Sequence, residues 1–319
     1  MTTPDRSYVL IGPCRNEAKF MKRTLDSVIA QSVKPAKFII VDDGSDDGTS
    51  EVADQYAEQH DFIEVIHRED RGFRKVGGGV VETFNVGLEA SNWEDYAYVC
   101  KIDLDLDLPE RYFERLMEIM EERPRIGTCS GKAYFRAPNG NMVSEACGDE
   151  MSVGMTKFYR RECFQDIGGF VAQVMWDAID CHTARMKGWQ AISFDEPELR
   201  FEHLRPMGSS QKGIFTGRAR HGFGQWFMGS SFPYFAATAA FRMTRRPYIT
   251  GGLSMLYGYI KAAIDGEPRY DNPDFRAMLR KYQSRALIVG KAKATTEIEE
   301  QYADNWRGAG ALPMANAAE

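Results

Sequence analysis

Four short apolar runs, separated by amphipathic stretches, constrain the first third of this chain more than any other feature. Tyr8 to Ile11, Phe38 to Val41, Phe62 to Ile66 and Tyr96 to Ile102 have the length and makeup of strands. Between them, Glu17 to Gln31 carries Phe20, Leu25, Val28 and Ile29, and Thr49 to His60 and Gly79 to Ala90 read as further helices. A helix from Pro109 to Glu122 follows, with proline in the first turn, where its missing N–H costs nothing. Such alternation predicts a mostly parallel sheet covered by helices, an α/β fold. Ligands bind these sheets beyond the carboxyl ends of the strands. Three polar clusters stand at such ends: Gly12 to Glu17, Asp42 to Gly48 and Asp103 to Asp107.

The third cluster is the sharpest. In Lys101-Ile102-Asp103-Leu104-Asp105-Leu106-Asp107-Leu108-Pro109 carboxylates alternate with apolar residues. Period-two alternation would put Asp103, Asp105 and Asp107 on one face if the strand continued through them. A row of like charges is costly unless a cation compensates it. Oxygen-only ligands suit a hard ion, Mg²⁺ or Mn²⁺, of the kind that also holds a phosphate-bearing substrate. In the second cluster, Asp46 or Asp47 can cap the next helix. Asp43 is left to accept hydrogen bonds from a nucleotide base or ribose. Arg71 to Gly79 combines three basic residues with four glycines before a helix, making Arg74 and Lys75 candidate neighbours of a diphosphate. Farther on, Ile167-Gly168-Gly169-Phe170 precedes Asp177 and Asp180, three apart on one helical face. One can be a general base and the other a cap or orienting group. His203 follows a strand-like run.

Charge is distributed unevenly over the 319 residues. Arg205 to Ala294 holds 15 Lys/Arg against 4 Asp/Glu, a balance of +11, and the last 25 residues carry −4. With a net charge of −6, the first 204 residues are left at −13. The basic part is interleaved with apolar runs, which disfavours nucleic-acid binding. His221 to Phe241 has no Lys, Arg, Asp or Glu, but its glycines, serines and Pro233 make it a weak membrane span. Trp226, Phe227, Phe232, Tyr234 and Phe235, beside the arginines that follow, suit an interfacial helix better. Contact with a membrane surface is expected through 221–264, against the alternative that these aromatics pack on the catalytic body. Six cysteines without CxxC spacing read as reduced core residues, and Met1 to Ser7 lacks a signal-peptide core. A cytoplasmic protein is the expectation, held at the inner face of the plasma membrane if the membrane contact applies.

Taken together, the motifs resemble glycosyltransferase family 2, inverting enzymes of the GT-A fold that use nucleotide-sugar donors. The resemblance runs from about Tyr8 to His203 and rests on Pro13-Cys14-Arg15-Asn16-Glu17, Val41-Asp42-Asp43-Gly44-Ser45, Asn85-Val86-Gly87-Leu88, Asp103-Leu104-Asp105 and Gly168-Gly169-Phe170 with Asp177. It implies a Rossmann-like, mostly parallel mixed sheet flanked by helices, with a C-terminal helical extension. The implied layout is a catalytic domain over 1–204, divided near 108 into nucleotide-sugar and acceptor halves. A basic, aromatic extension over 205–294 and a mobile acidic tail over 295–319 would follow.

By the same resemblance, Asp43 contacts the base with Pro13, Arg15 and Glu17 nearby, and Asp103 lies at the nucleotide. Asp103, Asp105 and His203 hold Mg²⁺ or Mn²⁺. Asp177 is the catalytic base, Asp180 its alternative, and Trp176, in place of the family's Glu, faces the acceptor. The implied reaction moves a sugar from a UDP-sugar to a hydroxyl of a glycan or lipid-linked acceptor in polysaccharide or glycolipid synthesis. The rival readings are a nucleotidyltransferase and a non-catalytic nucleotide-sugar-binding protein.

Overall fold

The computed structural model describes residues 5–73, 77–205 and 213–308. Its main sheet begins as the apolar runs imply, with β1 (Tyr8–Cys14), β2 (Lys37–Asp42), β3 (Ile63–His67) and β4 (Tyr98–Ile102). β1 pairs in parallel with β2 on one side and β4 on the other, and β2 with β3. Every residue of β4 and all but Pro13 of β1 are buried. That is why these strands read as continuous apolar runs and not as alternating ones. Helices α1 (Ala18–Ile29), α2 (Thr49–Gln59), α3 (Gly78–Ala90) and α4 (Tyr112–Glu122) supply the crossovers. α1 buries Met21, Leu25 and Val28, spaced for one helical face. Each such side chain contributes roughly 1.5–3 kcal/mol by leaving water. Gly87 of α3 sits so close to the sheet that a Cβ would lie 2.7 Å from Ile11 and 2.9 Å from Val41.

The chain departs from pure βα alternation after Ile102. β5 (Leu106–Asp107), β7 (Lys132–Arg136), β8 (Met142–Ser144) and β11 (Arg200–His203) form a separate four-stranded sheet in the order β5-β11-β7-β8. β6 (Ile126–Ser130), β9 (Thr156–Arg160) and β10 (Gln190–Ser193) extend the main sheet to seven strands in the order β10-β6-β9-β4-β1-β2-β3. β9 runs antiparallel to both neighbours. α5 (Arg161–Ile167) and α6 (Trp176–Met186) lie between β9 and β10.

Five further helices complete the described chain: α7 (Ile214–Met228), α8 (Phe232–Met243), α9 (Thr250–Ile264), α10 (Pro273–Val289) and α11 (Lys291–Gln301). Glycines let α7 and α9 touch backbone to backbone. A Cβ on Gly222 would lie 1.9 Å from the Met255 carbonyl, and one on Gly258 would lie 1.9 Å from that of Ala219. The expected tail from 295 starts as helix. α11 buries Ala294, Thr295 and Ile298, and Glu299 pairs with Arg185 at 3.2 Å. Residues 309–319 lie outside the described part. The run from His221 to Phe241 is split at Gly229–Ser231, and among the described residues no helix is long and apolar enough to cross a membrane.

Candidate active site

The chain order reverses between β1 and β4, and a crevice opens beyond their carboxyl ends, where open α/β sheets bind ligands. After β2, Asp42 is buried and accepts hydrogen bonds from the main-chain N–H of Ser45 (3.1 Å) and the hydroxyls of Ser45 and Ser50. It shapes the turn. Gly44 makes that turn possible, with φ +73° and a Cβ position 2.5 Å from Asp70 Cα. Asp43 points elsewhere, into a basic pair: Arg68 Nη1 lies 2.7 Å from it and Arg71 grips both oxygens. Arg15 donates to the Asp43 carbonyl (2.7 Å) and to Asp70 (2.5 Å). Pro13 is half-buried within β1, opposite Val41. Arg74 and Lys75 lie outside the described residues.

The acidic motif does not continue as a strand. β4 stops at Ile102, and the Asp103 N–H donates to the Met155 carbonyl at 2.8 Å. Leu104 then turns into the core, and Asp107 reappears in β5, paired with Arg23 at 2.7 Å. Asp107 is therefore not on one face with Asp103 and Asp105, as the alternation predicted. The reason is the break in the strand: the chain leaves the main sheet after Ile102 and resumes as β5 in the second sheet.

Asp103 and Asp105 are each met by a cation of the chain itself. Lys101, buried at the end of β4, bonds Asp103 and reaches the Gly154 carbonyl at 2.9 Å. Asp105 Oδ2 lies 2.6 Å from Arg205 Nε and 3.3 Å from His203 Nε2. Arg205 also reaches Glu17 Oε1 at 2.6 Å, tying the end of β1 to the acidic motif. Behind His203, Glu145 accepts from Nδ1 at 3.0 Å. Burial pushes the Asp103 carboxyl up against the pull of Lys101, with the neighbouring Asp105 adding to the rise. Burial acts upward on Asp105 too, but the His203 hydrogen bond and the Arg205 charge outweigh it and hold Asp105 low. For His203 burial works downward, yet Asp105 and Glu145 carry the imidazole up to about 9.

A divalent ion fits this donor set. Asp105 Oδ1 is buried with no hydrogen-bond partner among the described residues. A metal would take the place of the Nε2 proton that His203 now directs at Asp105, while Nδ1–H stays on Glu145, the carboxylate–histidine arrangement common around metals. Among the described residues no three His, Cys, Asp or Glu side chains form a ready-made cage. Two protein ligands are what a hard cation takes when substrate phosphates and water complete its shell.

The Gly-Gly-Phe motif builds the other wall. Gly168 ends α5 with φ +72° and Gly169 follows at +79°, turning Phe170 inward. Phe170 wedges between Phe84 (4.9 Å) and Trp176 (4.7 Å). The chain then enters α6 through Met175, a non-glycine residue at φ +71°, strain of a kind that clusters at functional sites. Asp177 and Asp180 separate sharply here. Asp180 is buried, with Lys157 and Tyr159 both bonded to Oδ2 and the Cys181 N–H 2.5 Å from Oδ1. Lys157 also donates to the Asp177 carbonyl at 2.8 Å. Asp177 is half-exposed, and its carboxylate rests against Gly154. With Lys101, Asp103, Trp176 and, from α7, His221, it lines a cavity of about 670 Å³. Trp176 borders that cavity while its ring packs on Phe170 and faces the Lys101 and Lys157 ammoniums, each 5.5 Å away.

Lys101, Glu145, Lys157 and Arg205 stand in the site without a motif in the sequence that assigns them to it. A lysine inside an otherwise apolar strand is the available signal for Lys101, whereas β9, with Thr156 and Arg160 at its ends, gives no such mark for Lys157. Glu145 meets His203 across 58 positions with no local pattern to mark it.

Residues 9–173 match the model of the family described as glycosyl transferase family 2. The chain is 25% identical to glycosyltransferase AglE of Haloferax volcanii over 223 residues, 59% of this chain and 69% of that one. It is 23% identical over 144 residues to glycosyltransferase GlyG of Streptococcus pneumoniae serotype 4, 45% of either chain. It therefore spans less than half of the latter relative. Among solved structures, it resembles mannosyltransferase PcManGT from Pyrobaculum calidifontis in complex with GDP-Man and Mn²⁺ (TM-score 0.51, 16% identity, 95% of this chain and 87% of that one). Staphylococcus aureus TarS 1–349 in complex with UDP-GlcNAc is similarly close (TM-score 0.51, 14% identity, 94% and 92%). At such identities the likeness establishes the GT-A fold alone. The family match, by contrast, takes in just over half the chain, from β1 to the residues before α6, and the chain belongs to glycosyltransferase family 2.

Proposed function

We propose that this protein is a metal-dependent, inverting glycosyltransferase that moves a sugar from a UDP-sugar to a hydroxyl of a glycan or lipid-linked acceptor. The observation that carries the reading is that Asp177 and Asp103 line one cavity while Asp180 is wholly engaged beneath it. An unengaged carboxylate facing the cavity suits a general base; a fully paired one does not. In this reading Asp43, with Pro13, Arg15 and Glu17, surrounds the base end of the donor, and Asp103 lies toward its diphosphate.

Asp177 removes the proton from the acceptor hydroxyl as its oxygen attacks the anomeric carbon. The bond to the diphosphate breaks on the opposite face, so configuration inverts. Lys101 and Arg205 contribute positive charge on the side where the leaving group gains negative charge. Asp105 and His203, with Asp103 beside them, would hold Mg²⁺ or Mn²⁺, which neutralises charge on a departing diphosphate. Trp176 closes the acceptor side. Family membership weighs against the nucleotidyltransferase reading, and an Asp177 side chain with no hydrogen-bond partner among the described residues, lining the cavity, weighs against a binding-only role.

The acceptor reading extends to a lipid surface on the cytoplasmic side. Leu253, Tyr257, Ile260 and Ile264 are exposed at helical spacing along α9, beside exposed Phe241, Tyr248 and Ile249. From Leu204 to Ile264 the chain has eight Lys/Arg and no Asp or Glu. An apolar stripe within a purely cationic stretch matches anionic lipid. Trp226, Tyr234 and Phe235, which the sequence reading grouped with this face, instead pack among the helices.

Release of nucleotide from a panel of sugar nucleotides, with Mn²⁺, Mg²⁺ or EDTA, tests the proposal. Metal-dependent UDP release from one donor is expected. Absence of both nucleotide binding and release overturns it.

A further inference from the structure

The two acids of the motif are neutralised in different ways, and the difference points to a role for Arg205. Lys101 is built in: it is 3% exposed and anchored to the Gly154 carbonyl as well as to Asp103. Arg205 is placed just after β11, its side chain 20% exposed. Its guanidinium bridges Asp105 Oδ2 and Glu17 Oε1, each at 2.6 Å, and lies 5.8 Å from the ring centre of Phe20. It thus covers one oxygen of the carboxylate whose other oxygen, Oδ1, has no partner among the described residues.

We propose that Arg205 is a resident counter-ion that a divalent cation has to displace from Asp105. This rests on the metal site read above. A cation drawing both Asp105 oxygens and His203 Nε2 would sit within a few ångströms of the guanidinium, and like charges at that range repel strongly in a poorly solvated site. Two states follow. Without metal, Arg205 binds Asp105 and Glu17 and keeps two buried carboxylates paired, which limits the cost of their burial. With metal, Asp105 turns to the ion and Arg205 keeps its bond to Glu17. The cation's affinity is thereby held down until substrate phosphates add ligands, so metal and donor are taken up together.

The test is Mn²⁺ binding to the nucleotide-free protein, followed by the loss of the free Mn²⁺ electron paramagnetic resonance signal. Arg205→Gln removes the charge and keeps a hydrogen-bond donor near Glu17. It is expected to bind Mn²⁺ about tenfold tighter or more than wild type. Arg205→Lys, which keeps the charge, is expected to stay within about threefold of wild type. Thermal melts of both variants show that each is folded before binding is read. A purely structural arginine would give equal or weaker Mn²⁺ binding in Arg205→Gln, and that result overturns the counter-ion role. If wild type retains no Mn²⁺ even with saturating UDP, the metal site itself is overturned, a failure distinct from that of Arg205.

Discussion

Lys157 and Asp180 are ion-paired with essentially no exposure beneath the first turn of α6, and the same ammonium donates to the Asp177 carbonyl at 2.8 Å. One buried lysine thus ties the engaged aspartate to the main chain of the available one. Asp180→Ala would strand that charge, which typically costs about 3–5 kcal/mol. A large fall in Tm is expected in thermal melts, with activity lost through instability.

Asp177→Asn makes the contrasting prediction. The side chain is half-exposed and leans on Gly154, so Tm should stay close to that of wild type. Turnover should fall by about 10²–10⁴, the usual range for removing a general base. Single-turnover rates at saturating donor check this, and an Asn variant with wild-type turnover would exclude Asp177 as the base.

Gly154→Ala tests how tightly the proposed base, Asp177, is held. A Cβ there would lie 3.1 Å from Asp177 Oδ2 and 3.3 Å from Asp177 Cβ. The carboxylate must shift by tenths of an ångström. Misplacement of a catalytic group by about 1 Å can cost 10²-fold, so about a tenfold loss in kcat is expected here. Donor affinity, measured by calorimetry, should hardly change.

His182 gives the fold a specific acid sensitivity. It is buried on α6 against Phe275 and Tyr282, and its Nδ1 has no partner among the described residues. Burial, with help from Arg185, Lys291 and Lys157, pushes its pKa well below 6.5. The folded state therefore binds this proton less readily than the unfolded chain. Its contribution to stability is complete above pH 6.5 and is lost as pH falls below that value, by up to about 1.4 kcal/mol per pH unit. Denaturant melts at pH 7.5 and 5 should show a smaller difference for His182→Phe than for wild type.

Two exposed arginines test the proposed lipid surface. Arg245 and Arg246 are exposed in the segment between α8 and α9 and have no acidic neighbours in sequence. At about 1 kcal/mol per basic residue near anionic lipid, replacing both by Gln should weaken binding to phosphatidylglycerol vesicles about 30-fold. Co-sedimentation is the measurement. Wild-type protein that fails to sediment with such vesicles would leave the face to another partner.

The parallel half of the sheet was legible because β1, β2 and β4 are buried almost throughout and read as apolar runs, as Tyr8 to Ile11 does. The positions of Asp43, Asp103 and Asp177 were legible for a related reason, since polar residues at strand and helix ends interrupt such runs. The second sheet was not legible. Leu106–Asp107 is a two-residue strand whose partner, His203, lies nearly a hundred positions away, so no local period announces it. The bond from Arg205 to Glu17 spans 188 positions and has the same character. The choice between Asp177 and Asp180 also needed three dimensions. Their spacing is equally helical, and only the position of Lys157 on β9 shows which is engaged.

The glycine contacts between α7 and α9 fix a distance. With Gly222 and Gly258 letting backbone meet backbone, the two helices pack at the close end of helix separations and cannot slide without a clash. α7 lends His221 to the cavity wall, and α9 carries the apolar stripe. A surface that holds α9 therefore sets the height of the cavity above it, much as a gauge block sets a tool. Acceptors would be sorted by how far their hydroxyl stands from that surface as well as by their chemistry.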